Sequence, residues 1–293
     1  MHKAGFVNIV GNPNVGKSTL MNQLVGEKLS IATFKAQTTR HRIMGIVNTD
    51  DSQIVFSDTP GVLKPNYKMQ EMMLQFSESA LADADVLLYV TDVVENPEKN
   101  MDFLEKVAKM TIPVILLINK IDESDQSKLV DLVEKWHGLL PDAEILPISA
   151  KNKFGTDILM KRVRELLPES PAFFDKDQLT DKPARFFVSE IIREKILRYY
   201  DKEIPYSVEV VVERFKEDDR QIHINAVIYV ERSSQKGVII GHQGMALKKM
   251  STEARKSLER FFDKKIFLET FVKVDKDWRN SQKELNNFGY NPE

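Results

Sequence analysis

The octapeptide Gly11-Asn12-Pro13-Asn14-Val15-Gly16-Lys17-Ser18 constrains this chain more than any other stretch. Its spacing is GxxxxGK[ST]. It follows an apolar run, Phe6-Val7-Asn8-Ile9-Val10, and opens a helical pattern that begins at Thr19. A glycine-rich turn between a strand and a helix aims several backbone N–H groups into one concavity, and the helix start adds partial positive charge. The segment from Gly11 to Thr19 is therefore expected to cradle phosphates. Lys17 is placed to reach the outer phosphates, and the Ser18 hydroxyl to bind Mg²⁺.

The surrounding pattern suits such a loop. Short apolar runs at 7–10, 54–57, 86–90, 114–118 and 145–148 alternate with helical periodicity at 19–25, 69–82, 100–110, 128–140 and 156–167. That alternation predicts an α/β domain with a mostly parallel sheet flanked by helices. An added strand at 42–47 would pair with 54–57 as a hairpin around Asp50-Asp51.

The base is read elsewhere. Asn119-Lys120-Ile121-Asp122 follows the apolar run 114–118, at the carboxyl edge of the sheet, where ligands bind in such folds. The Asp122 carboxylate can accept from guanine N1–H and its 2-amino group. Adenine offers neither donor, so it would leave a charged acceptor unpaired, which disfavours it by about 10⁴-fold or more. Asn119 is expected to brace the loop and the Lys120 stem to cover the base. Ser149-Ala150-Lys151, after the last strand, can close over the base through backbone N–H groups. Asp58-Thr59-Pro60-Gly61 follows 54–57: the aspartate can hold Mg²⁺ and the Gly61 N–H can sense the γ-phosphate. Gln37-Thr38-Thr39-Arg40-His41 lies in a loop that can switch with nucleotide state through a threonine on Mg²⁺. Spacing leaves Thr38 and Thr39 both open, with Thr39 favoured.

In this order the five elements resemble the GTPases of the translation-factor and Ras-like class, over about residues 5–167. In that class the residue after the DxxG glycine is a glutamine that orients the attacking water. Here it is Val62, which cannot. The chain is similar instead to bacterial GTPases with an apolar residue there. Some of those use K⁺ held partly by an asparagine at the place of Asn14. A purely loop-shaping Asn14 stands as the alternative. Lys17, Thr39, Gly61 and Asn14 are thus the candidates for chemistry. With no arginine finger in view, unassisted turnover is expected to be slow, on the order of 10⁻⁴ to 10⁻² per second.

Pro168-Glu169-Ser170-Pro171 ends the first domain, taken as 1–170, and 171–183 reads as a linker. Residues 184–293 read as α-β-β-α-β-α: helix 188–199, strands 207–214 and 222–231, helix 245–262, strand 266–274 and helix 278–287. Gly241-His242-Gln243-Gly244 precedes the long helix. Two glycines at this spacing let a nucleic-acid backbone approach a helix N-terminus, as in the GXXG loop of a KH module. Lys236, Lys248 and Lys249 supply charge, and Ile239 and Ile240 are expected to offer apolar surface on which bases rest. Net charge supports a polyanion partner for this half. Residues 184–293 hold 21 Lys+Arg against 18 Asp+Glu, whereas 1–183 hold 21 against 26. The first domain is thereby followed by an α+β domain of type II KH class.

Taken whole, GNPNVGKSTL, KAQTTRHR, DTPG, NKID, SAK and KGVIIGHQG resemble the Era family of bacterial ribosome-assembly GTPases. That resemblance implies a GTP/GDP switch with Mg²⁺ that binds the 3′ end of 16S ribosomal RNA and assists small-subunit assembly. It also implies peripheral contact with the inner membrane. A cytoplasmic setting follows from the lack of cysteine, and a monomer with no DNA partner is expected. A GTPase serving a membrane or division machinery through a protein-binding C-terminal domain is the competing reading. The absence of cysteine excludes disulfides and thiolate metal sites. No signal peptide fits the N-terminus, and no apolar run approaches the roughly 18 residues of a spanning helix.

Overall fold

The computed structural model describes residues 2–291, and the chain divides into two compact units between Asp181 and Lys182. The first unit runs β1 (Lys3–Gly11), α1 (Lys17–Val25), β2 (Ile43–Asn48), β3 (Ser52–Asp58), α2 (Lys68–Ala82), β4 (Val86–Asp92), α3 (Met101–Ala108), β5 (Val114–Asn119), α4 (Gln126–Leu139), β6 (Glu144–Pro147) and α5 (Thr156–Leu166). Its sheet order is β2-β3-β1-β4-β5-β6. Only the β2–β3 pair is antiparallel, so the expected hairpin is present. β3 and β4 are buried along their whole length, as central strands covered on both faces must be. The apolar stripe of α3 (Phe103, Leu104, Val107) and Trp136 of α4 pack on Leu87, Tyr89, Leu116 and Ile118 of the sheet.

Strand order reverses between β1 and β4: the chain leaves β1 toward β3 on one side and later returns to β4 on the other. A crevice opens at such a point, outside the carboxyl ends of the strands. The loops after β1, β3, β5 and β6 all reach it. The sequence alternation thus placed the nucleotide motifs together.

The segment read as a linker, 171–183, behaves differently up to Asp181. Gln53 Oε1 accepts from the Phe173 and Phe174 amides at 2.7 and 3.0 Å. Ile46 N donates to the Leu179 carbonyl at 2.8 Å, and Thr180 Oγ1 to the Met44 carbonyl at 2.6 Å. The stretch covers the open edge of β2, an edge that would otherwise present unpaired backbone groups.

The second unit runs α6 (Ala184–Tyr199), β7 (Val208–Glu217), β8 (Gln221–Val230), α7 (Ser233–Ile240), α8 (Met245–Phe262), β9 (Lys265–Val274) and α9 (Gln282–Asn287). β7–β8 is antiparallel and β8–β9 parallel. The order is α-β-β-α-α-β-α, one helix more than the sequence suggested. α7 was missed because Gly237 and the β-branched Val238-Ile239-Ile240 argue locally against a helix. Tertiary packing overrides that preference: Ile239 is fully buried in the core cluster that includes Ile192, Ile224, Met250 and Ala254. The predicted helix at 278–287 is a 3₁₀ turn at Trp278–Asn280 followed by α9.

Candidate nucleotide and nucleic-acid sites

The phosphate loop starts where β1 ends. Gly11 has φ +145°, and a Cβ there would stand 2.1 Å from the Val90 carbonyl oxygen. Gly16 has φ +98°, and its Cβ would meet Asn119 Nδ2 at 2.3 Å. Only glycine fits either place. The loop curls so that Lys17 lies beneath it, its Nζ donating to the Gly11 and Asn12 carbonyls at 2.9 and 2.8 Å. Burial draws the Lys17 ammonium down to about 8, opposed by Asp58 and Glu95. A buried ammonium satisfied by two carbonyls is poised to exchange them for a fully charged phosphate.

Ser18, Thr39 and Asp58 converge. Ser18 Oγ lies 2.8 Å from Asp58 Oδ2 and 2.8 Å from Thr39 Oγ1, and Thr39 Oγ1 lies 3.2 Å from Asp58 Oδ2. Burial raises the Asp58 carboxyl above its usual range, opposed by Lys17 and the hydroxyls, and its Oδ1 is buried without a hydrogen-bond partner. Three hard oxygen donors, one of them a buried carboxylate with an unused lone-pair atom, fit a Mg²⁺ ion. The Thr38 hydroxyl lies instead 2.9 Å from Thr33 Oγ1 and donates to the Lys35 carbonyl.

The base end is built around Asn119. Its Nδ2 donates to the Val15 carbonyl at 2.8 Å, and its Oδ1 accepts from Ala150 N at 2.9 Å. One side chain thereby ties the phosphate loop to the loop after β6. Ser149 Oγ donates to Asp122 Oδ1 at 2.6 Å. Lys120, at φ +62°, donates to the Asn14 carbonyl at 2.7 Å and pairs with Asp92. These elements border a cavity of about 400 Å³ lined by Pro13, Asn14, Gly16, Lys17, Ser18, Thr19, Thr39, Gly61, Asn119, Lys120, Asp122, Ala150 and Lys151, together with Phe34 and its neighbours.

Several expected site residues do not face that cavity. Thr59 is fully buried and its hydroxyl donates to the Ile9 carbonyl at 2.8 Å. Pro60 is buried, with its carbonyl taken by Ser77 Oγ. Gly11, Asn12 and Val15 act from behind: Gly11 and Asn12 hold Lys17, and Val15 holds Asn119. Ser149 acts through Asp122. Val62 is buried in the core, its N–H donating to the Gly11 carbonyl at 3.0 Å, so its side chain cannot reach water in the cavity. Asp92, Glu95 and Asn100 support the loop and were not foreseen. Asp92 had one legible signal, its place at the carboxyl end of a core strand.

In the second unit Gly241 has φ +70° and ψ −179°, a region open to glycine alone, and a Cβ there would stand 2.5 Å from that of Ala246. Gly244, at φ +76°, caps α8 and has open space around it. His242 and Gln243 are exposed between them. Beside this turn a groove of about 310 Å³ runs between α8 and β9, lined by Gly244, Leu247, Lys248, Ser251, Thr252, Arg255, Leu268 and Thr270. Of the predicted lysines Lys248 faces the groove, whereas Lys249 lies over the Tyr199 ring at 5.3 Å; Lys236 sits half-buried on α7. Ile239 is fully buried and cannot support a base, because α7 turns it into the core; Ile240 is half-buried against the same core. The apolar groove positions are instead Leu247 and Leu268. They lie on different elements, so no local sequence pattern joins them.

The family model described as a 50S ribosome-binding GTPase matches residues 6–120, and the KH domain model matches residues 203–279. GTPase Era of Geotalea daltonii is 45% identical over 289 residues, covering 98% of this chain and 97% of the relative. GTPase Era of Clostridium kluyveri is 44% identical over 292 residues, covering 99% and 100%. The crystal structure of Era in complex with MgGDPNP and nucleotides 1506–1542 of 16S ribosomal RNA matches with a TM-score of 0.95 at 37% identity, over 99% of each chain. A phosphate loop at the end of β1 and a KH unit, matched over nearly the whole length by relatives of this identity, place the chain in the Era family and make it an enzyme that hydrolyses GTP.

Proposed function

We propose that the chain is a Mg²⁺-dependent GTP switch whose second unit binds the 3′ end of 16S ribosomal RNA during small-subunit assembly. The observation that carries the reading is the pairing, in one chain, of the guanosine cavity with a KH groove. The full-length structural relative holds both a GTP analogue and that RNA.

In this reading the phosphate-loop amides and Lys17 hold the β- and γ-phosphates. Ser18, Thr39 and Asp58 hold Mg²⁺, which when bound neutralises charge on the phosphate oxygens. Gly61 N–H meets the γ-phosphate, and Asp122 reads guanine. The buried Val62 leaves no side chain to orient water from that position. Asn14, exposed at the cavity edge in a left-handed conformation, is the residue in reach for a K⁺ ion that takes up charge between the phosphates. On the RNA side, Gly241 and Gly244 bring a nucleotide backbone against the start of α8. Lys248 and Arg255 neutralise phosphates, and Ser251 and Thr270, bonded to each other at 2.7 Å, offer hydroxyls to base edges.

Gly244→Asp is the cleaner test, because Gly241→Asp would also collide with Ala246. Asp tolerates the left-handed conformation and sets a negative charge where the RNA backbone approaches. The variant should lose affinity for an oligonucleotide of the 16S 3′ end by more than tenfold while binding GDP normally. RNA affinity equal to the parent's would remove the KH groove from the function.

A further inference from the structure

Asn100 stands at the N-cap of α3 with φ 61° and ψ 47°. An asparagine there ordinarily accepts from the amides of its own helix. This one does not cap α3 with its side chain. Its backbone carbonyl takes the Phe103 and Leu104 amides, and Phe103 and Leu104 are buried, so the residue is anchored. Both N–H bonds of the side chain are spent elsewhere. Nδ2 donates to Asn12 Oδ1 at 2.6 Å and to the Val62 carbonyl at 3.0 Å.

Those two acceptors lie on different loops. Asn12 belongs to the phosphate loop; its backbone carbonyl holds Lys17, and its side-chain amide donates to Glu95, which also accepts from Thr91 Oγ1 at 2.8 Å. Val62 follows Gly61, and its N–H donates to the Gly11 carbonyl at 3.0 Å. Gly61 itself packs on the phosphate loop so closely that a Cβ would stand 2.7 Å from Pro13 Cα. The loop after β3 is therefore fastened to the phosphate loop on both sides of the Val62 peptide, and Asn100 supplies the fastening on the carbonyl side.

We propose that Asn100 is a positioning residue that holds the Gly61 amide ready for the γ-phosphate by clamping the Val62 carbonyl to Asn12. The proposal rests on the nucleotide reading above. A donor held in place before its charged acceptor arrives needs no reorganisation on binding. Without the clamp the Gly61 segment must be ordered by the γ-phosphate itself, and the cost falls only on the triphosphate state.

Two variants test this. Asn100→Gly suits the left-handed backbone and removes the side chain. Asn100→Asp keeps its shape but has no N–H to donate. Affinities for GDP and for a non-hydrolysable GTP analogue would be measured by fluorescence titration, with kcat, KM and Tm alongside. Both variants should bind GDP like the parent. Both should lose about tenfold in analogue affinity, the scale of one well-formed neutral hydrogen bond, with a comparable fall in kcat. An unchanged analogue-to-GDP ratio and kcat in both variants overturns the proposal. Equal loss of GDP and analogue affinity also overturns it, since Asn100 would then be a general scaffold residue. A parent protein that binds neither nucleotide sinks the nucleotide reading, and the proposal with it.

Discussion

Replacing Asn119 by alanine removes the side chain that joins the phosphate loop to the loop after β6. Two hydrogen bonds disappear, to the Val15 carbonyl at 2.8 Å and from the Ala150 amide at 2.9 Å. Val15 and Ala150 are each only 1% exposed, so both backbone groups lose their partner in a nearly dry place. Stranding one such group costs about 1–3 kcal/mol, which makes roughly 2–6 kcal/mol for the pair. The nucleotide cavity lies alongside, and water from it replaces part of the loss, so the lower half, about 2–4 kcal/mol, is expected. The loss divides between two measurements. Urea denaturation of the nucleotide-free protein reads what is lost from the folded state. Titration with a fluorescent GDP reads what must be supplied on binding to order loops that are no longer joined, where each 1.4 kcal/mol is about tenfold in affinity. A variant with less than about 1 kcal/mol of total loss in the two assays would refute the reasoning that Asn119 is the brace.

Lys17→Met should abolish GTP hydrolysis yet stabilise the nucleotide-free protein at neutral pH. A lysine drawn from 10.5 to about 8 by burial carries up to about 3 kcal/mol of destabilisation below pH 8. The unfolded chain keeps this proton between pH 8 and 10.5 while the folded one has released it, so parent stability rises with pH across that window; a variant with the parent's slope in urea titrations would contradict this. Asp122→Asn should shift preference from guanosine to xanthosine nucleotides, because an amide presents an N–H where the carboxylate accepted one. Undiminished GTP selectivity would take Asp122 out of the base site. Turnover in KCl should exceed that in NaCl at equal ionic strength, and equal rates would leave Asn14 with a loop-shaping role only.

Much of the first unit was legible because its signals are local. The motifs GNPNVGKS, DTPG, NKID and SAK each follow an apolar strand, and a parallel sheet delivers every such strand end to one edge. Which of Thr38 and Thr39 turns its hydroxyl toward Asp58 was not local. Neighbouring residues in an irregular segment give no periodicity to decide it. In the second unit the GxxG turn was legible and the helix before it was not, since propensity opposed α7, which is held by burial of Ile239 and by Gln235 capping its first turn. With α7 in place Ile239 and Ile240 turn toward the core, and the apolar side chains lining the groove are Leu247 and Leu268.

The primary structure alone determined that this chain binds a guanosine nucleotide through a phosphate loop and carries a KH-like turn. Glycines at forced backbone angles and charged groups at strand ends announce themselves in short windows. Tertiary structure alone decided which side chains act from behind the loop: Asp92 on Lys120, Glu95 on Asn12, Asn100 on Val62. All of those partners lie tens of residues apart, and a hydrogen bond of about 3 Å between such residues exists only once the sheet has brought the loops together.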